Sequence, residues 1–312
     1  MQVVQDPLVA ALLGLETFRV LGPDDITIRA AFVPYQGDKP RGSVILAPGR
    51  TEYIEKYAET ISDLLARGFN VLTVDHRGQG WSDRLGATAH AGHLDSFAKA
   101  TDHMARAVAA VSDKLTGKRI LLSHSMGGTI CLEALLTNAI PNVVGAAFSA
   151  PMWGILGPPG MGLLAKSLVA TGKGKDVAPS LPTTWQPEAF EGNQVTHDPK
   201  RFARNNALML EQPALQIAGP TNGWLDEAMK TMASFTPARL SQINLPILVV
   251  SAEGETIVDN AAHVRICGQV PHGQLRVVAG SKHELLHEVD AIRAAFWAHF
   301  DAWADLLLAE NA

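Results

Sequence analysis

The sequence predicts an α/β protein: a mostly parallel central sheet, helices on both faces, and one inserted helical segment. Three observations carry this. Short β-rich apolar runs alternate with helical patterns through the first half, the order that builds a parallel sheet. The runs are apolar nearly throughout, as strands covered on both faces must be. The alternation stops at residue 152 and resumes at Leu245.

Thr17 to Val20 and Ile26 to Ala31 read as a leading antiparallel pair around the Gly22-Pro23-Asp24-Asp25 turn. Gly42 to Ala47 reads as a strand. Ile54 to Arg67 is helical, with apolar residues at helical spacing. Phe69 to Asp75 is a strand, Leu94 to Leu115 a helix, Arg119 to Ser123 a strand, Met126 to Asn138 a helix and Val143 to Ala150 a strand. After the insertion come a strand (Pro246 to Ala252), a helix (Asp259 to Gln269) and a strand (Leu275 to Ala279). A closing helix is expected from Glu284 to about Ala309. The chain thus divides into a core, residues 1–151 and 241–312, and an inserted cap, residues 152–240. Long insertions of this kind serve as lids or binding loops.

The 312 residues are 47% hydrophobic and only 18% charged, which excludes disorder. The 26 basic and 31 acidic residues leave −5, the wrong sign for a nucleic-acid footprint. Two cysteines, Cys131 and Cys267, cannot staple a fold of this size. Met1 to Leu15 is apolar but lacks a basic flank and is interrupted by Asp6 and Pro7, so a cytoplasmic protein with reduced thiols is expected. No formal charge occurs from Ala134 to Ala165. That stretch is no membrane span, because Pro141, Pro151, Pro158 and Pro159 would leave backbone unpaired in lipid.

The strongest local signal is Leu121-Leu122-Ser123-His124-Ser125-Met126-Gly127-Gly128, between a strand and a helix. A serine there sits on a tight elbow that exposes its hydroxyl at the carboxyl edge of the sheet. The following helix start offers free N–H groups to a developing oxyanion. A plainer role for Ser125 is to cap that helix. A serine nucleophile needs a histidine base and a carboxylate to orient it. In such folds the chain order is serine, acid, histidine. His283 follows the last strand, on the edge where Ser125 lies. Glu253, Glu255 and Asp259 follow the preceding strand; Glu255 is favoured as the acid and Asp259 is the substitute, since it falls at a helix start. The loop Pro48-Gly49-Arg50-Thr51-Glu52 is placed to supply a second oxyanion donor, the backbone N–H of Arg50, beside that of Met126.

One competing motif overlaps the histidine. His283-Glu284-Leu285-Leu286-His287 matches the zinc-protease pattern H-E-x-x-H. Its third ligand is hard to find: Glu310 is the only carboxylate far enough downstream to act as a distant third ligand, and Asp290 stands where the extended motif needs Gly. His287 then reads as a surface or supporting residue. Asp75 to Ser82 is a Gly-rich loop but no phosphate loop, since no G-K-[ST] follows, and it is expected to shape the site wall. His90 and His93 read as solvated surface.

Together these residues resemble the serine-hydrolase branch of the α/β-hydrolase fold, specifically the bacterial lysophospholipases and related monoacylglycerol lipases. The matching pieces are the segments 49–57, 75–82, 124–128, 249–260 and 280–288. The resemblance implies Ser125 as nucleophile, His283 as base and Glu255 as acid, with no metal and no cofactor. Glu at that position is similar to the lysophospholipase side. Two departures stand out: Pro48-Gly49 where the related lipases have His-Gly, and Ser123 at the first elbow glycine.

In the insertion, Met161, Leu164 and Leu168 share a helical face beside Lys166, Lys173 and Lys175. Residues 151–245 hold eight basic and seven acidic residues, against 18 and 24 in the rest. A less acidic, apolar cap suits an amphiphilic substrate or a peripheral contact with a membrane surface. Packing of the same face onto the core is the alternative. Met152, Trp153, Met161 and Leu164 are the cap residues expected to meet the substrate. The expected function is a cofactor-free serine esterase acting on a lysophospholipid or monoacylglycerol. Alternatives are another carboxylesterase, a thioesterase, an aminopeptidase-like member, or a hydrolase-fold binding protein without catalysis.

Overall fold

Neighbouring residues of the apolar runs point to opposite faces of one sheet, and both faces are covered. The computed structural model describes residues 7–309; the expectations for Met1 to Asp6 and for Glu310 lie outside them. Eight strands among the described residues pair in the order β1-β2-β4-β3-β5-β6-β7-β8. They are β1 (Thr17–Leu21), β2 (Thr27–Val33), β3 (Gly42–Ala47), β4 (Phe69–Asp75), β5 (Arg119–His124), β6 (Val143–Ser149), β7 (Ile247–Ala252) and β8 (Gly273–Val278). β1 and β2 join antiparallel, and β2 joins β4 antiparallel; all other pairings are parallel.

Ile45, Leu121, Phe148 and Val249 pack on one side with α3 (Phe97–Ala110) and α4 (Met126–Leu136). Val44, Leu122, Ala147 and Leu248 pack on the other with α2 (Ala58–Ala66) and α10 (Asp290–Ala309). On α10 the residues Phe296, Phe300, Trp303 and Leu307 recur at helical spacing and lie against the sheet. α1 (Pro7–Leu13) and α9 (Asn260–Cys267) complete the helices outside residues 152–240. Both cysteines are buried and free.

Two helix starts differ from the sequence expectation. The helix expected from Ile54 opens as a 3-10 turn, Ile54–Tyr57, whose first N–H donates to the buried Asp75. The closing helix begins at Asp290 rather than Glu284, after a 3-10 turn at Leu285–His287. The cause is Glu288. Its buried carboxylate accepts the N–H groups of Lys282, His197 and Val289, which wraps the chain around it instead of extending a helix.

Between β6 and β7 lie α5 (Met161–Ala170), α6 (Pro199–Glu211), α7 (Asn222–Ala233) and the short α8 (Pro237–Leu240). Gly92 and Pro220 form a β-bridge, and Ile155 bridges Val258. His90 and His93 are not solvated surface. His93 Nδ1 lies 2.6 Å from Thr221 Oγ1, and His90 Nδ1 accepts from Trp185 N–H, so both tie the loop after β4 to the inserted residues.

Trp153 does not face a substrate space. Its ring is 1% exposed, meets Phe148 edge-on, and donates Nε1–H to the Gly128 carbonyl. The sequence reading missed this because a tryptophan next to a candidate lid looks alike whether it packs inward or outward. We expect Trp153→Ala to lower the unfolding free energy by about 3–5 kcal/mol in urea titrations. Leu164→Ala, at a half-exposed position, should change it by less than about 0.5 kcal/mol. Equal effects would show that the Trp153 ring is not part of the core.

Candidate active site

β5 runs into Ser125, whose φ of 49° and ψ of −118° lie where non-glycine residues are strained. The turn holds because both ends are pinned: Ser125 N–H donates to Ser149 O, and Ser125 O accepts from Gly128 and Met152. Gly127 is obligatory here. A Cβ on it would sit 2.2 Å from the Ala47 carbonyl oxygen. The Ser125 hydroxyl makes no capping bond to α4, which removes the plain capping role.

His283 and Glu255 come from the loops after β8 and β7. His283 Nδ1 lies 2.6 Å from Glu255 Oε2. The other carboxylate oxygen of Glu255 accepts from the N–H groups of Thr256, Ile257 and Val258, which fixes its orientation. Burial alone would raise the Glu255 pKa, but the hydrogen bond and charge of His283 and these N–H donors outweigh it and hold it below the ordinary value. An ionised carboxylate only accepts, so His283 carries its proton on Nδ1 and leaves Nε2 as the basic nitrogen. Asp259 does something else: it caps α9, accepting from Ala261 N–H. Glu253 accepts from Gly280 N–H.

Ser125, His283, Arg50, Met152 and Met161 line one cavity of about 640 Å3. Trp153 and Leu164 are not among its lining residues. Leu164 is 51% and its neighbour Leu163 is 72% exposed. The backbone N–H groups of Arg50 and Met126 find no acceptor among the described residues. The loop carrying Arg50 is braced from behind. Gly49 N–H donates to Glu52, Gln79 Nε2 donates to Gly49 O, and Thr51 N–H donates to Gln79 Oε1. The Gly-rich loop after β4 therefore acts behind the wall, not on its surface.

The H-E-x-x-H residues diverge. His283 faces Glu255, Glu284 Oε1 lies 2.6 Å from Lys56 Nζ, and the buried His287 donates Nε2–H to the Lys56 carbonyl. His287 is thus neither a surface residue nor on a helix with His283. Glu52, Glu284 and His287 do bring ligand atoms within 4.8 Å of one another. Lys56 Nζ contacts both carboxylates, however, so an ammonium already fills the role a cation would play. Sequence reasoning missed Lys56, Tyr57 and Gln79 as supports. The i,i+4 spacing of Glu52 and Lys56 was the one signal, and it reads equally well as a surface ion pair. It also missed the cavity wall at Trp224, Leu225, Ile257 and Val258.

A family model described as Serine aminopeptidase, S33 (Hydrolase_4) matches residues 38–290. The chain belongs to this family. The Hydrolase_4 chain is 34% identical over 287 residues to Lysophospholipase L2 of Escherichia coli (strain K12), covering 88% of this chain and 82% of that protein. It is 28% identical over 257 residues to Monoacylglycerol lipase of Mycolicibacterium smegmatis, covering 80% and 83%. A soluble variant of monoglyceride lipase from Saccharomyces cerevisiae, solved with a substrate analog, superposes with a TM-score of 0.74 at 18% identity, over 94% of this chain and 95% of that one. That likeness shows the fold, which is the α/β-hydrolase fold.

Histidines also set the acid stability of this Hydrolase_4 protein. Burial pushes His76 and His124 down to about 4, and it lowers His93, His263 and His287 as well. These groups stay neutral when folded but take a proton near 6.5 when unfolded. The contribution of His76 and His124 is therefore complete above about pH 6.5 and lost as pH falls toward about 4, and the other three act in the same direction. His76 and His124 each cost on the order of 1.4 kcal/mol per pH unit in that window. The carboxyls of Asp63, Asp75, Glu227 and Glu284, pushed up by burial, act with opposite sign. Denaturant titrations at pH 7.5 and 5.5 should show a loss of at least about 2 kcal/mol at the lower pH; a flat profile would contradict neutral buried imidazoles.

Proposed function

We propose that this protein is a serine hydrolase that cleaves carboxylic esters of single-chain lipids through an acyl-enzyme. The observation that carries the reading is the 2.6 Å His283–Glu255 pair on the rim of the cavity that Ser125 lines. Ser125 Oγ attacks the ester carbonyl carbon as His283 Nε2 takes its proton. The oxyanion is held by the backbone N–H groups of Arg50 and Met126, which have no other acceptor among the described residues. The carbon–oxygen bond to the alcohol breaks, and His283 returns the proton to that oxygen. Water, deprotonated by the same nitrogen, then releases the fatty acid and restores Ser125. Glu255 orients the imidazole and stabilises its cation without taking the proton.

The neighbouring His124 ring, 4.7 Å from His283, is kept neutral by burial and so adds no like charge to the imidazolium. The substrate class is supported by the apolar wall of Met152, Met161, Leu225 and Ile257, and by relatives that are named lysophospholipase and monoacylglycerol lipase. Residues 152–240 serve as the cap over the cavity. Leu163 and Leu164, exposed on α5 near the exposed Leu156, are the face through which the cap meets lipid aggregates. Among the described residues, no helix is long and apolar enough to cross a membrane.

Ser125→Ala should abolish labelling by a fluorophosphonate probe and lower kcat by roughly 10^4-fold or more on a monoacylglycerol. Turnover of aminoacyl amides with none of lipid esters would overturn the substrate class. For the acid, Glu255→Gln should lower kcat by about 10^3- to 10^4-fold, because the imidazole loses its tautomer and its charge partner. Asp259→Asn should cost less than about threefold, since asparagine caps α9 equally well. The reverse order would move the acid to Asp259.

A further inference from the structure

The charged side chains on the cavity wall are Arg50, Glu52, Glu188 and Glu284. Glu52 and Glu284 share the ammonium of Lys56. Arg50 has no such partner. The only hydrogen bond of its guanidinium among the described residues runs from Nη1 to the Ala218 carbonyl, at 3.0 Å. A carbonyl orients a guanidinium but does not neutralise it. Arg29 pairs with Glu55 and Asp75, and Arg77 with Asp24 and Asp95, whereas Arg119, buried away from the cavity, meets only carbonyls as Arg50 does. Glu188, exposed on the cap side, lies outside ion-pair distance of Arg50 and offsets its charge only through space.

We propose that the Arg50 guanidinium binds a phosphate in the alcohol portion of the substrate, so that the enzyme favours lysophospholipids over monoacylglycerols. This rests on the serine-hydrolase reading above. The position fits. Arg50 Cζ lies 5.7 Å from the Trp224 ring centroid, and Trp224 Nε1–H points at Met126 Sδ, 3.4 Å away, next to Ser125. Trp224 thus bridges the cation to the side chain of the residue that follows the nucleophile, and Arg50 and Ser125 line the same cavity. Burial pushes the Arg50 pKa down to about 10, which still leaves it a cation at neutral pH. A partly desolvated cation without a contact ion pair is costly, and a bound phosphate relieves that cost. The guanidinium fork matches phosphate oxygens in pairs, as an ammonium cannot. The loop is braced by Glu52 and Gln79, so the side chain is presented from a fixed backbone.

The test compares a lysophosphatidylcholine and a monoacylglycerol of one acyl chain, in neutral detergent micelles, with a short-chain p-nitrophenyl ester as a third substrate. Arg50→Gln should reduce the ratio of kcat/KM for lysophospholipid over monoacylglycerol by roughly 10- to 100-fold, mainly through KM. Arg50→Lys should recover part of the ratio, since the charge returns without the fork. Glycerol 3-phosphate should inhibit p-nitrophenyl ester hydrolysis by the wild type more strongly than by Arg50→Gln. An equal loss on all three substrates would assign Arg50 to the loop alone and overturn the proposal, as would an unchanged ratio in a folded variant. Wild-type protein that hydrolyses none of the three esters would instead defeat the serine-hydrolase reading.

Discussion

The Glu52 carboxylate is 2% exposed and accepts from the Gly49 backbone, the Lys56 ammonium and, at 2.5 Å, the Tyr57 hydroxyl. An ionised carboxylate so far from water is tolerated only when its lone pairs are filled and its charge is answered. Burial works to raise its pKa, yet Lys56 and the surrounding donors hold it well below the usual carboxylate range. Lys56 in turn reaches Glu284, the residue after His283. One buried ammonium therefore ties the loop after β3 to the loop after β8. Removing either carboxylate would leave the other groups buried without a complete set of partners.

The elbow at Ser125 depends on the same economy of space. β5 lies between β3 and β6 in parallel register, Ser123 opposite both Ala47 and Phe148. α4 must start beside the end of β3, and only glycine at position 127 permits that approach. The strained backbone of Ser125 survives because Ser149 of β6, Met152 beyond it and Gly128 of α4 hydrogen-bond to it, and α4 is buried along its length. The low charge of the segment from Ala134 to Ala165 follows from this arrangement. Its first part is α4 and β6, enclosed by the sheet and helices. Its second part leads to the wall at Met152, Ile155 and Met161.

Most of the architecture was legible in the chain. A strand buried on both faces leaves a run of apolar residues that needs no context to read, and the alternation with helices follows from it. Boundaries were less legible where a side chain far away in sequence decided them. Asp75 opens the segment at Ile54 as a 3-10 turn, and Glu288 delays α10 to Asp290. At the candidate site, the serine, the histidine and the neighbourhood of the acid could be named from motif and order. Which carboxylate faces His283 could not be read from periodicity, since Glu253, Glu255 and Asp259 all lie within one turn of chain.

By itself the sequence determined the α/β class, the α/β-hydrolase resemblance, and the presence of a serine and a histidine at the ends of strands. These depend on local patterns: hydrophobic period, turn residues and chain order. Only the tertiary structure decided that Glu255 meets His283 while Asp259 caps a helix. It also decided that Trp153 is core, that the H-E-x-x-H residues point apart, and that Lys56 rather than a cation joins Glu52 to Glu284. Each of these depends on which groups are left without water and must find a partner across the fold. That is a property of assembled surfaces, and no spacing along the chain encodes it.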